Sequence, residues 1–228
     1  MRRRSLYKYF SERKWAEAFI KGEVLFRSLS YFRDYEDNNV REDKNEGTSI
    51  FRPEGGLIVN NLTKGTTFTL PRHSFESAAK QEEIFIFCLS RSLTDELRER
   101  FKAVACVEIL NISSFCNRIE TALLPFKPTF PGRPGRKRIG QRVEYYKETE
   151  AGSPRWALPD MIASSKLDNY AWQDEFRLVF SLTEALEFEN VATCLKQGNG
   201  RKPRIPTEHH CYALSVGSLH DICRLHEF

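Results

Sequence analysis

Trp172-Gln173-Asp174-Glu175-Phe176-Arg177 runs straight into Leu178-Val179-Phe180, and this stretch decides how the chain is read. The consecutive apolar residues mark a buried strand over Glu175 to Ser181. Gln173 and Glu175 stand two residues apart at its mouth, and side chains two apart on a strand share a face. A glutamine and a carboxylate are therefore expected to point into one site. The plainer alternative is a solvated edge-strand pair of Glu175 and Arg177 with no chemistry.

Working outward, 228 residues with 40% hydrophobic and 12% aromatic content, including 17 Phe, suffice for a substantial core and exclude a disordered chain. One domain over residues 1–228 is expected. Strand patterns fall at Leu6 to Phe10, Glu23 to Leu29, Gly56 to Asn60, Thr66 to Leu70, Ile84 to Ser90, Ala103 to Leu110, Arg142 to Tyr146, Leu186 to Val191 and Cys211 to Val216. The terminal Leu225 to Phe228 could add one more. Helices are predicted after Ser11, with Trp15, Ala18 and Phe19 facing the core and Gly22 ending the turn, and at Ser74 to Gln81, Thr94 to Phe101, Ser113 to Leu123 and Pro159 to Lys166. The irregular alternation of strands and helices predicts an α+β fold rather than a doubly wound parallel sheet.

The net charge of +4 and a pI near 8.7 permit a polyanionic partner without requiring one. The local pattern is sharper. Residues 125–141 hold Pro125, Pro128, Pro131 and Pro134 with three glycines, so neither helix nor sheet runs through them. Arg133, Arg136, Lys137, Arg138 and Arg142 crowd into this loop and its exit, with no acid between Thr121 and Val143. Such a run is a footprint for the phosphates of DNA or RNA, with Phe126 and Phe130 available to stack on bases. A solubilising loop would carry the same residues.

The six cysteines contain no CxxC pair, which fits a reduced, cytoplasmic protein. His209-His210-Cys211 with Cys223 lacks zinc spacing, so no metal is expected. Met1-Arg2-Arg3-Arg4 lacks the apolar region of a signal peptide, and no apolar run reaches membrane-spanning length. A nucleophile elbow, a P-loop and a G-x-G-x-x-G turn are all missing from the sequence.

Several separated pieces resemble one family. Leu6-Tyr7-Lys8-Tyr9, Gly22 to Ser28, Tyr31-Phe32-Arg33-Asp34, Phe87-Cys88-Leu89-Ser90, Val143-Glu144-Tyr145 and Trp172 to Arg177 occur in an order similar to a widespread bacterial domain family of unknown function. That family carries a YKY start, an FCLS strand and a closing WxxExEyR. The same layout resembles the ADP-ribosyltransferase superfamily, including its DNA-modifying toxin branch. The inserted basic loop and the run Arg41 to Thr48 depart from the pattern and leave the substrate open.

The resemblance implies a single α+β domain with a split, mixed or antiparallel sheet and flanking helices, and NAD as cosubstrate. Glu175 would hold the nicotinamide ribose and Gln173 would orient the acceptor. A carboxylate suits that task, because cleavage of the nicotinamide–ribose bond passes through an oxocarbenium-like transition state. Lys8 or Arg27 would meet the diphosphate, Tyr9, Tyr31 or Phe32 would stack on the nicotinamide, and Ser28 with Ser30 would occupy the second-strand Ser/Thr position. The implied protein is a toxin or phage-defence effector acting on a macromolecule, nucleic acid first, with an antitoxin or regulatory protein as a further partner.

Two other readings stay open on the residues alone. Asp34, Glu36, Asp37, Asp43 and Glu46 with Glu175 would hold Mg²⁺ in a nuclease, although interspersed Arg33, Arg41 and Lys44 suggest an ion-paired surface loop. The chain would otherwise be a binding module in which Glu175 and Arg177 merely pair across a sheet.

Overall fold

The computed structural model describes residues 5–34, 43–132, 137–150, 154–198 and 209–228. In chain order the elements begin β1 (Leu6–Phe10), α1 (Arg13–Ile20), β2 (Glu23–Ser28), α2 (Leu29–Asp34), β3 (Thr48–Phe51), β4 (Leu57–Asn61) and β5 (Thr66–Leu70). There follow β6 (His73–Ala79), β7 (Ile84–Ser90), α3 (Asp95–Arg100), β8 (Ala105–Ile109), α4 (Ile112–Leu123), β9 (Gly140–Arg142) and β10 (Glu144–Tyr146). The last are α5 (Pro159–Ala163), β11 (Ser165–Leu167), β12 (Glu175–Ser181), β13 (Val191–Gln197), β14 (Cys211–Ser215) and β15 (Cys223–Glu227). The result is a strand-rich α+β domain in which, among the described residues, the strand pairs are antiparallel except β10 with β11.

Strand β7 organises the main sheet. One of its edges takes β12 along its whole length, from Glu175 opposite Ser90 to Ser181 opposite Ile84. The other edge is shared, with β2 pairing at Phe85 and Ile86 and β1 at Ser90. The sheet thus divides there into a β2–β14 wing and a β1–β8–β15 wing, while β9 extends it beyond β12.

The alternation of side chains gives each face a different cover. Phe87, Leu89, Leu178 and Phe180 point into the main core, where Phe19 of α1 and Phe115 and Ile119 of α4 pack on them. The opposite face carries Ile86 and Val179 beneath Leu29 of α2 and Ile162 and Ala163 of α5. Glu175 and Arg177 share that second face.

Several predicted elements come out differently. Arg142 to Tyr146 is not one strand but the end of β9 and the whole of β10, and β9 begins at Gly140, inside the segment 125–141 expected to hold no sheet, because Gly140 to Arg142 pair with β12. Ser74 to Gln81 reads as a helix because Glu, Ala and Lys favour one, yet β6 is a strand paired along one edge with β3 and along the other with β13. Helix propensities differ by only tenths of a kcal/mol per residue, and two ladders outweigh that. Phe75 and Phe51 also gain the ring of Trp156 on this sheet. Leu186 to Val191 is not a strand: Phe188–Asn190 form a 3₁₀ turn and the strand starts at Val191. Pro159 to Lys166 is helical only to Ala163, and Ser165–Leu167 then pair in parallel with β10.

In α1 the buried residues are Ala16, Phe19 and Ile20, whereas Trp15 is half exposed and bonds Glu12 through its indole N–H at 3.0 Å. Glu12, not Ser11, stands at its cap position. Gly22 does end this helix, at φ +103°, where a Cβ would collide with the carbonyl oxygen of Gly217.

Candidate active site

Arg177 is fully buried, and everything at this site is arranged around it. Its Nε donates to Glu175 Oε1 at 2.7 Å, and its Nη1 and Nη2 grip Glu46 Oε1 and Oε2 at 2.7 and 2.8 Å. Nη1 also donates to the carbonyl of Ala163 at 2.5 Å, where α5 ends. Lys166, one residue into β11, reaches the same place: its Nζ lies 2.9 Å from Glu175 Oε2, 2.9 Å from Gln173 Oε1 and 3.7 Å from Glu46 Oε2. Asp43 completes the group, buried beside Glu46 and accepting the N–H of Asn45 at 2.9 Å.

Each element reaches the cluster for a local reason. The turn Asp43 to Glu46 closes on the Glu46 N–H to Asp43 carbonyl bond at 2.8 Å, and Gly47 leaves it at φ +72°. Gln81 pins this turn from the end of β6 by donating to the Gly47 carbonyl and to Thr48 Oγ1. Gln173 ends the 3₁₀ turn Asp168–Gln173, and Asp174 follows at φ +41°.

Gln173 and Glu175 therefore do not alternate along one strand as the spacing implies. They meet because the left-handed Asp174 turns the chain and Lys166 bonds both. Ser90 Oγ fixes the junction by donating to the Gln173 carbonyl at 2.9 Å, and Tyr145 Oη accepts the Glu175 N–H at 2.8 Å.

Electrostatics follow from this burial. Desolvation alone would raise the Glu175 carboxyl, but the charges of Arg177 and Lys166 outweigh it and hold the group well below the usual carboxylate range. Burial alone would likewise lower Lys166, and the charges of Glu175 and Glu46 reverse that, keeping it protonated. Asp43 goes the other way, pushed up to about 6 by burial and then by the charge of Glu46. Burial and the neighbouring Glu175 also push the Cys88 thiol up and Tyr145 up to about 12.

The described cluster holds three carboxylates, Asp43, Glu46 and Glu175, against two cations, Lys166 and Arg177. That surplus of buried negative charge is costly to maintain and complements a cationic group.

The other predicted residues scatter. Lys8 sits on the opposite face, its Nζ donating to the Cys88 carbonyl at 2.8 Å and lying 4.4 Å from the centre of the Phe87 ring. Tyr9 is buried beneath α3, its hydroxyl donating to the Ser92 carbonyl and accepting the Thr94 N–H. Arg27 pairs opposite Ile86 and so shares the face of Glu175, with its guanidinium 4.5 Å from the centre of the Tyr31 ring. Phe32 meets Tyr31 edge-on at 5.2 Å, and the buried Ser28 and Ser30 hydroxyls bond each other at 2.8 Å.

In the basic loop, Arg133 and Arg136 lie outside the described residues. Lys137 is ion-paired with Glu187 at 3.3 Å, the Arg138 N–H bonds the Pro131 carbonyl, and Arg142 is exposed on β9.

Two expectations are corrected by burial. Asp43 and Glu46 do not belong to a surface ion-paired loop; both are buried in the cluster. Glu175 and Arg177 do pair, but on a strand flanked by β7 and β9, not on a solvated edge. Glu36 and Asp37 lie outside the described residues, and among those described no group of three His, Cys, Asp or Glu is placed to hold a metal. Sequence reasoning missed Lys166 and the central role of Arg177. An arginine between Phe176 and the run Leu178 to Phe180 was itself the signal, since a charge inside a buried strand requires opposite charges from elsewhere.

An open cleft of about 680 Å³ lies elsewhere, lined by Arg52, Arg72, His73 and Glu148 among others, none of them from the cluster. The described cysteines are free thiols, and no described helix is long and apolar enough to cross a membrane. No protein-family model, no curated protein and no solved structure matches this chain.

Proposed function

We propose that this chain is an ADP-ribosyltransferase-like enzyme that uses NAD to modify a macromolecular acceptor, nucleic acid first, in the manner of a toxin or phage-defence effector. The observation that carries the reading is the buried carboxylate surplus around Glu175, with Gln173 held to the same lysine. Departure of nicotinamide leaves positive charge on the ribose, and a preorganised, water-poor site whose described charges sum to a negative one stabilises it. Glu175 is the carboxylate for the ribose and Gln173 the amide for the acceptor. Arg27, Tyr31 and Phe32 share that face and are the groups for diphosphate and ring, which leaves Lys8 a packing role on the other face.

One observation favours a second reading, a binding module without catalysis. Glu175 is only 4% exposed and both its oxygens already accept from Arg177 and Lys166, so substrate must displace Lys166 to reach it.

Incubation with labelled NAD and, separately, DNA, RNA and lysate protein decides between them, comparing the natural chain with Glu175→Gln. The transferase reading expects label on one acceptor class and its loss, by a factor of roughly 10²–10³, in the variant. Absence of both transfer and NAD hydrolysis with the natural chain refutes it. Melting curves of both proteins ensure that a lost signal is not lost folding.

A further inference from the structure

The β4–β5 hairpin stands apart from the main sheet as a two-stranded sheet of its own. Such a hairpin alone is marginal in water and gains stability from a further strand. Its apolar side chains face solvent: Ile58 is 71% exposed, Leu62 at the turn 93% and Phe68 52%. From Gly55 to Leu70 the one charged residue is Lys64, and there is no proline. Natural sheets protect open edges with charge, proline or bulges, and this hairpin carries almost none of that protection.

We propose that the β5 edge is a self-association surface, pairing with β5 of a second copy of this chain to make a four-stranded sheet across a twofold axis. β5 is the outer strand of the hairpin: Thr66 to Thr69 are all exposed, whereas β4 buries Leu57 and lies against β6. A second copy is the occupant because the edge is uncharged. Across a twofold axis each residue meets the same short stretch of its mate, so a charged edge would repel itself. An uncharged edge of threonine and phenylalanine is self-compatible, and it offers no charge to select a charged partner.

Charge at the ends of the strand also sets the register. Centring the axis on Phe68 would place Lys64 opposite Arg72 of the second copy, two like charges. Centring it on Thr67 places Lys64 opposite Leu70 and Thr66 opposite Phe68, with no like-charge pair. The interface is one short edge, so association is weak and concentration-dependent.

Sedimentation velocity of the full chain, from micromolar to near-millimolar concentration, tests this. The expected result is a mass that rises from one chain towards two, and that stays at one chain in Phe68→Lys. The double variant Thr66→Asp with Phe68→Lys sets opposite charges across the Thr67-centred register and is expected to recover association. Circular dichroism of each variant confirms that it is folded. A natural chain that stays monomeric throughout, a Phe68→Lys chain that still associates, or a double variant that fails to recover would each overturn the proposal.

Discussion

Replacing Arg177 with methionine tests the physical account of the site most directly. Arg177 is fully buried and makes bonds of 2.7 Å to Glu175, 2.7 and 2.8 Å to Glu46 and 2.5 Å to the Ala163 carbonyl. Methionine keeps much of the volume and removes the charge. Among the described residues of the cluster, Lys166 is then the one cation facing three carboxylates, 2.9 Å from Glu175 but 3.7 Å from Glu46.

Removing one partner of a buried ion pair leaves the other charge uncompensated and costs about 3–5 kcal/mol. In a chain of this length each kcal/mol moves the melting temperature by about 2–4 °C, so a fall of roughly 6–20 °C is expected. The pH dependence is the more specific signature. In the natural protein Glu175 has a lowered folded pKa, so its stabilisation is present above the unfolded value and lost only in strong acid.

In the Arg177→Met variant Glu175 keeps its burial and loses the first of the two charges that hold its carboxyl low, so its folded pKa rises above the unfolded one. The stabilisation that Glu175 gives the natural protein above the unfolded value is then lost as pH rises, so the variant's deficit is expected to be larger at about pH 8 than at about pH 5. Thermal or urea unfolding at both ends of that range measures it. A deficit below about 1 kcal/mol, or one that does not change with pH, would show that the cluster is not the electrostatic keystone described here.

Two further expectations concern single residues. Asp43 has a folded pKa raised to about 6 from an ordinary 3.8, so it favours the fold below about 4 and opposes it as pH rises through about 6. Asp43→Asn should stabilise the protein near pH 8, by on the order of 3 kcal/mol, and flatten the stability profile between those values; an unchanged profile would assign the titration to another group. Gly22→Ala should destabilise by more than about 1 kcal/mol in urea unfolding, because alanine at φ +103° also drives a methyl into the Gly217 carbonyl. Tolerance of alanine there would mean that the contact between this turn and Gly217 is looser than described.

Much of the sheet was legible in the sequence because strand periodicity is local. Leu6–Phe10, Ile84–Ser90 and Glu175–Ser181 begin and end where their patterns do, since each alternates or runs apolar and is bounded by polar or turn residues. The β6 segment was not legible, because Ser74 to Ala79 has helical composition and becomes a strand only between β3 and β13. The 3₁₀ turn at Phe188 hid behind apolar residues that suit a strand equally well.

The sequence by itself determined that Glu175 and Arg177 lie two apart on one strand, and therefore that a carboxylate and a guanidinium share one face, with a buried strand and a solvated edge both open. It could not determine what surrounds them. Glu46 is 131 residues away in the chain from Arg177, and Lys166 comes from a short strand whose parallel partner β10 is itself short. Only the tertiary structure brings these charges into one dry volume, because a buried ion accepts any opposite charge that the fold can deliver, from whatever distance along the chain. That delivery makes a closed cluster of the pair that the sequence also allowed on a solvated edge, and it puts Lys8, which the resemblance offered with Arg27 for the diphosphate, on the far side of the sheet.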